Sequence, residues 1–206
     1  MKIRNGFVSN SSSSSFLVIS FNKIYDFFKF KDFKGHDIFM KDIENDTDEE
    51  SKGFIYSFLI DYYYDEYSKF MKKDMPGGIN IDNIDYIRYL FDISGADDKD
   101  YWNIISKVNK NGMEFWVKNH DNFGTNKNQD EIRDYQNSYY EDEESKRKIE
   151  ETANKIFDGM KAKGINVNFV RYDDDTDDGC YMETGFMPFL MANPEKNYCI
   201  ISINEH

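Results

Sequence analysis

The loop DDDTDDG, which starts at Asp173, carries the side chains best suited to metal chemistry. Asp173, Asp175 and Asp177 alternate along it, and carboxylate oxygens at this spacing are ligands that a divalent cation such as Ca²⁺ prefers. An EF-hand loop starting at Asp173 would place glycine sixth and glutamate twelfth, whereas this chain has Asp178 and Thr184 there. Two interpretations therefore stay open: a site for a divalent cation, which is the candidate cofactor, and a solvated hairpin loop.

His120 and Asp121 form a second candidate pair, because an imidazole beside a carboxylate can transfer protons or bind a metal. No other histidine or cysteine lies at a spacing that would complete a zinc site with them. One function that these residues allow is a small metal-assisted hydrolase or transferase that uses the aspartate loop and His120. A histidine on the surface without a catalytic role is the simpler alternative.

The serine tract VSNSSSSSF is the third place where the residue types suggest chemistry. Its hydroxyl groups and successive backbone N–H groups could bind a phosphate or accept a modification. The chain has no GxxxxGK motif, so a nucleoside-triphosphate fold is not supported. A polar turn is the simpler alternative, since serine is common in turns. The candidate tag or modification residues are Ser9, Ser11, Ser12, Ser13, Ser14 and Ser15.

The segment RNGFVSNSSSSSF, Arg4 to Phe16, resembles the R-x-G-F-V-S-N-S-S-S-S-S-F opening of small, mostly uncharacterised proteins encoded by tailed bacteriophages. The resemblance is confined to this segment. It implies a portable tag: a docking sequence, a processing or packaging signal, or an acceptor for modification. Phosphorylation would add about −1.5 to −2 charge per site. It also implies that the protein is located in the host cytoplasm or in the virion.

Two tyrosine stretches are candidate partner-binding sites. They are Tyr62, Tyr63 and Tyr64 in the first, and Tyr139 and Tyr140, followed by Glu141 and Asp142, in the second. Tyrosine is enriched at protein interfaces, where its ring packs and its hydroxyl forms hydrogen bonds. Burial of these rings in the core is the alternative.

The net charge of −13 limits the classes of partner. Because an acidic surface repels phosphate backbones, direct binding to nucleic acid is not expected. The same surface suits a protein with a basic surface, although acidic charge can also serve solubility alone. No stretch approaches the ~18 apolar residues of a membrane span, so we expect a soluble protein that does not interact with membranes. Two cysteines are too few for a disulfide framework, which favours a reducing, intracellular compartment.

The hydrophobic patterns that must position these residues predict an α+β fold: an antiparallel or mixed sheet with a helical insertion and one long charged helix. We expect a single domain over residues 1–206. Within it, residues 1–16 form the serine-rich segment and residues 51–111 the helical insertion. Residues 113–206 supply a strand, the long helix and a C-terminal β-meander.

Several local predictions define this arrangement. Ser51 is expected to cap the first helix. Residues 113–120, MEFWVKNH, are predicted to form a strand because of their bulky apolar residues. Residues 129–163 are predicted to form one helix that ends at Gly164. The meander consists of three predicted strands: INVNFVRY, CYMETGFMPF after the aspartate loop, and a final strand around Cys199.

Together these features predict a phage-encoded acidic accessory protein that works by binding a host or phage protein, in host takeover, anti-defence or assembly. Binding is favoured over catalysis because the candidate catalytic motifs are incomplete. The alternatives are the metal-assisted hydrolase or transferase described above and a component of the virion.

Overall fold

The computed structural model describes residues 13–20, 47–70, 82–122, 129–173 and 198–204. Helices contain most of these residues, so the described part of the chain is mainly helical, and the predicted α+β fold class is wrong. The elements are β1 (Ser13–Ser20), α1 (Asp48–Ser68), α2 (Asp82–Ser94), α3 (Lys99–Asn119), a 3-10 turn (His120–Asn122), α4 (Gln129–Tyr140), α5 (Glu143–Ala162), β2 (Asn166–Asp173) and β3 (Tyr198–Asn204).

The chain divides into two compact units, residues 1–54 with 161–206, and residues 55–160. The first unit holds the three described strands, in the order β2-β1-β3. β1 runs antiparallel to both neighbours. β2 and β3, which correspond to the first and last strands of the predicted C-terminal meander, flank β1. The predicted middle strand of that meander, residues 180–189, lies outside the described residues.

α1 starts at a capping box in the first unit. The backbone N–H of Thr47 donates to Glu50 Oε2 at 2.7 Å, and the Glu50 N–H donates to Thr47 Oγ1 at 3.2 Å. This reciprocal pair satisfies backbone donors that the first turn leaves open. Ser51, the predicted cap, is buried one turn further on, where its Oγ donates to the carbonyl oxygen of Val167 at 3.4 Å.

The second unit, Ile55–Met160, contains helices, short connections and no strand among its described residues. α1 is its most enclosed element, since Asp61 is the only exposed side chain among residues 55–68. The Tyr101 hydroxyl is fully buried and donates to the Leu59 carbonyl oxygen at 3.1 Å, so this polar group keeps a partner inside the core. Fully buried core side chains include Ile55, Phe58, Leu59, Tyr63, Ile87, Leu90, Tyr101, Ile149, Ile156 and Met160.

Residues 113–120 were predicted to form a strand, but residues 113–119 are the second half of α3. The Asn111-Gly112 pair is typical of a turn, but in the structure the helix continues through Gly112. A Cβ on Gly112 would lie 2.6 Å from Cε2 of the Phe70 ring, so the missing side chain lets α3 approach that ring. The predicted strand is wrong because bulky apolar residues fit a packed helix face as well as a strand.

The predicted helix over residues 129–163 is two helices, α4 and α5, separated at Glu141 and Asp142. Asp142 is the N-cap of α5, because its Oδ1 accepts a hydrogen bond from the Ser145 N–H at 3.2 Å. This cap marks the point at which a new helix begins. At the other end, Gly164 adopts a φ of 76°, a left-handed conformation that glycine tolerates without strain. Ion pairs line the exposed face of α5, as between Lys148 and Glu144 at 2.7 Å.

Candidate functional site: a tyrosine surface

The tyrosines that the sequence singled out come together where α1 passes α4. The Tyr64 ring lies 5.2 Å from the Tyr140 ring and 5.7 Å from the Tyr139 ring. Their exposure differs: Tyr63 is fully buried and Tyr139 nearly so, whereas 54% of Tyr140 is exposed. Tyr62 faces α3 instead, where its ring centroid lies 6.3 Å from that of Trp102 in an edge-to-face arrangement.

The buried rings form one aromatic cluster, the tyrosine core, made of Tyr63, Tyr67, Tyr135 and Tyr139. Tyr67 lies 4.5 Å from Tyr139 and 5.5 Å from Tyr135. Tyr135 stacks at 4.0 Å, almost parallel, on the ring of Phe115 from α3. Such pairs add about 0.5–1.5 kcal/mol each beyond burial, so the tyrosine core helps to hold α1, α3 and α4 together.

The outward-facing rings form the tyrosine surface, made of Tyr56, Tyr64 and Tyr140. Tyr56 and Tyr64 are partly exposed and lie on the same side of α1, two turns apart. The sequence analysis missed Tyr56. The signal that could have found it is its helical spacing to Tyr64 within the predicted helix.

One cation lies within the tyrosine surface. Nζ of Lys146 donates to the carbonyl oxygen of Tyr140 and, at 2.7 Å, to Oε1 of Glu143. Only 22% of the Lys146 side chain is exposed, against 81% of Glu143. A carbonyl oxygen and a carboxylate thus converge on a position that already holds a positive charge.

Burial raises the pKa of the Tyr64 hydroxyl, and although Lys146 opposes this, Tyr140, Glu143 and Asp61 raise it further. Burial also raises the pKa of Tyr56, to which Tyr64 and Glu150 add. These hydroxyls therefore stay protonated at neutral pH and can donate hydrogen bonds. Because their pKa values are raised, the Tyr56 and Tyr64 hydroxyls are poorly suited to act as general bases near neutral pH.

A partly buried network of hydrogen bonds joins the tyrosine core to the start of α5. The Tyr63 hydroxyl donates to Asp142 Oδ2 at 3.3 Å, and the Ser145 hydroxyl donates to the same oxygen at 2.6 Å. Burial raises the pKa of Asp142, but the two hydrogen bonds from Ser145 and the one from Tyr63 outweigh it and hold the pKa below its usual value. This network holds the start of α5 in place, so the role of Asp142 is structural.

A groove of about 230 Å³ lies between α3 and the start of α5. Charges of both signs line it, and two of them are already paired, since Lys148 binds Glu144 at 2.7 Å. The lining side chains are Asp100, Asn103, Ile104, Lys107, Asp142, Glu144, Ser145 and Lys148.

His120 lies in the 3-10 turn after α3, not at a strand end. Its Nδ1 is 3.0 Å from the Val117 carbonyl oxygen, its Nε2 is 3.0 Å from Asp121 Oδ1, and its ring lies 5.0 Å from Trp116. Both nitrogens thus face neighbours on the same helix end. Within the part of the chain that the structure describes, no group of three or more His, Cys, Asp and Glu is placed to hold a metal ion.

Asp173 is the last residue of β2, while Asp175 and Asp177 lie outside the described residues. The serine tract is divided in the same way: Ser9, Ser11 and Ser12 lie outside, and Ser13, Ser14 and Ser15 belong to β1. Ser15 lies opposite Arg171 on β2 and Ile203 on β3. The backbone of these last three serines is therefore strand and not turn.

Comparison with protein-family models, with curated proteins and with solved structures finds no match to this chain. Among its described helices, none is both long and apolar enough to cross a bilayer.

Proposed function

We propose that this protein acts by binding another protein that has a basic surface, and that the tyrosine surface is the contact site. The resemblance of the serine-rich opening supports the further proposal that it is an accessory protein of a tailed bacteriophage. We then expect the protein to act in the host cytoplasm or in the virion. The process that it serves would be host takeover, anti-defence or assembly.

The observation that carries this proposal is the half-exposed ring of Tyr140, 54% exposed within an aromatic cluster. Tyrosine rings on rigid helices contribute contact area while losing little side-chain entropy on binding. Tyr64 packs against Tyr140 from α1, so the surface is built on two helices and is pre-organised.

The charge around the tyrosine surface supports a basic partner. Asp61, Glu143 and Glu150 act on its hydroxyls, and Glu141 follows Tyr140 in the chain. These carboxylates outnumber the ammonium group of Lys146, in a chain whose net charge is −13. Complementary charge speeds encounter and discriminates against other acidic proteins.

The test uses the full chain as bait in extracts of the cells that naturally produce it. Wild type, Tyr140→Ala and Tyr86→Ala are compared by quantitative mass spectrometry. Tyr86 is the matched control, because it is a 37% exposed tyrosine on α2 of the same unit. The proposal expects a basic protein that wild type and Tyr86→Ala retain and that Tyr140→Ala loses.

A partner that all three baits retain equally would overturn the assignment of the tyrosine surface. Retention should also weaken as salt rises from low to physiological ionic strength, since exposed charges are screened within ~8–10 Å there. An interaction that ignores salt would contradict the role given to the carboxylates.

A further inference from the structure

The position of Lys146 carries an inference that rests on the proposed function and names the partner group. We infer that the tyrosine surface binds an arginine side chain of the partner, and that the Lys146 ammonium occupies this arginine position in the free protein.

The first step is the geometry around Nζ of Lys146. It contacts two acceptors on different parts of the chain, the Tyr140 carbonyl oxygen at the end of α4 and Glu143 Oε1 at the start of α5. The carbonyl oxygen lies in the last turn of α4, where the helix leaves its carbonyl groups without intrahelical partners. This end of the helix also carries partial negative charge, so it attracts a cation.

The second step is the pair of rings next to these acceptors. The Tyr64 ring lies 5.2 Å from the ring of Tyr140, the residue whose carbonyl oxygen accepts a hydrogen bond from Lys146. A cation over a tyrosine face gains about 0.5–1 kcal/mol at exposed sites, and arginine is found in such contacts more often than lysine. The rings and the acceptors therefore favour the same kind of ligand.

The third step separates arginine from lysine. A guanidinium group is planar and has five N–H donors, so it can bind a carboxylate through two hydrogen bonds while it stacks on a ring. An ammonium group, which is a compact and strongly hydrated charge, gains less from the ring. Lys146 can be displaced because its long, flexible side chain can turn toward water and its partner Glu143, which is 81% exposed, stays solvated when the pair opens.

Fluorescence anisotropy tests the inference on the full chain with three fluorescein-labelled peptides, in which glycine alternates with arginine, lysine or citrulline. Citrulline keeps the planar group without its charge. The arginine peptide should bind about threefold or more tighter than the lysine peptide. The citrulline peptide should bind at least as weakly as the lysine peptide. Tyr140→Ala should weaken arginine-peptide binding about fivefold or more, whereas Tyr86→Ala should leave it unchanged.

The decisive variant is Lys146→Met, which removes the competing cation but keeps an apolar stem. It should bind the arginine peptide about threefold or more tighter than wild type, because the partner no longer displaces an internal charge. Lys148→Met is the matched control: it removes the same charge from the same helix, where Lys148 pairs with Glu144 at 2.7 Å. Any effect of net charge alone should appear equally in both variants.

Equal binding by Lys146→Met and Lys148→Met would overturn the inference, and so would equal affinity for arginine and lysine peptides. Either result leaves the proposed function standing if Tyr140→Ala still loses the natural partner. Loss of peptide binding in Lys146→Met would also overturn it, since Lys146 would then support the surface instead of competing for it. Thermal unfolding of each variant confirms that the compared proteins are folded.

Discussion

The tyrosine core and the tyrosine surface use the same residue type on the same helices for opposite purposes. Tyr63 and Tyr64 are neighbours in α1, yet Tyr63 is fully buried while Tyr64 faces outward beside Tyr140. The buried ring bonds to Asp142, and the outward ring lies beside Lys146 and carboxylates. Position around the helix, and not residue type, therefore decides whether a tyrosine is buried in the core or exposed to solvent.

The largest expected difference is between Tyr63→Ala and Tyr140→Ala. Tyr63→Ala should lower the free energy of unfolding by about 3–5 kcal/mol, because it empties a large volume in the core. Tyr140→Ala should lower it by less than about 1 kcal/mol, since more than half of its ring is already in water. Urea unfolding followed by circular dichroism measures both. Comparable losses would show that the tyrosine surface is part of the core.

A second prediction compares two helical glycines, one packed against an aromatic ring and one open to solvent. Gly112→Ala should cost about 1–3 kcal/mol, because its Cβ would lie 2.6 Å from the buried Phe70 ring. Gly53→Ala is the control: nothing lies within 4 Å of its Cβ, so the change should stabilise α1 by about 0.5–1 kcal/mol. Thermal melts should move in opposite directions. A melting temperature that rises for Gly112→Ala would contradict close packing of α3.

A third prediction isolates the hydroxyl groups. Tyr101→Phe should cost about 1 kcal/mol, since it leaves the buried Leu59 carbonyl oxygen without its side-chain donor. Tyr140→Phe should change stability by less than about 0.5 kcal/mol, because Tyr140 is 54% exposed and water can replace its hydroxyl as a partner of Tyr139. The measurement is again chemical unfolding. If the two phenylalanine variants matched, the buried hydrogen bond would have no net value.

The smallest expected effect concerns the dependence of stability on pH. Because the pKa of Asp142 is held below its usual value in the fold, its contribution is present above the pKa of an unfolded aspartate, about 3.9, and is lost as pH falls through the lower folded pKa. Asp142→Asn keeps a capping side chain but lacks this titration. The difference in unfolding free energy between wild type and Asp142→Asn should be larger at pH 6 than at pH 2.

That difference stays below about 1 kcal/mol because Asp142 is partly exposed and solvent screens it. Asp85→Asn is the control, since Asp85 is an exposed partner of Arg88 at 3.9 Å. A pH profile for Asp142→Asn that parallels the wild type would show that this carboxylate is not held in its charged form.

Features within one helix can be predicted from the sequence better than the packing of one helix against another. Burial of Tyr63 follows from its spacing to Ile55 and Leu59, one turn apart each time. The capping box at Thr47 and Glu50 is also readable, although Ser51 was chosen in its place. The contact between Tyr64 and Tyr140 cannot be predicted from the sequence, because it depends on how α1 packs against α4, which is far away in the chain.

The errors have physical causes as well. The strand predicted over residues 113–120 failed because Gly112 was interpreted as the end of a helix, whereas it accommodates the Phe70 ring. The break between α4 and α5 has neither proline nor glycine, and only Asp142, capping through Ser145, marks it. The strand patterns do form β1, β2 and β3, but the α+β prediction gave them too much weight against the five α-helices of the described residues.

Because Ser13–Ser20 is the middle of the three described strands, it must wait during synthesis for both of its neighbours. Its two neighbours are made much later, since β2 starts at Asn166 and β3 ends at Asn204. At about 5–20 residues per second, the serines wait on the order of ten seconds or more on the ribosome before either flank can pair with them. An enzyme that needs an extended backbone at residues 13–15 has that interval in which to act. Afterwards, neighbouring strands occupy both sides of the segment.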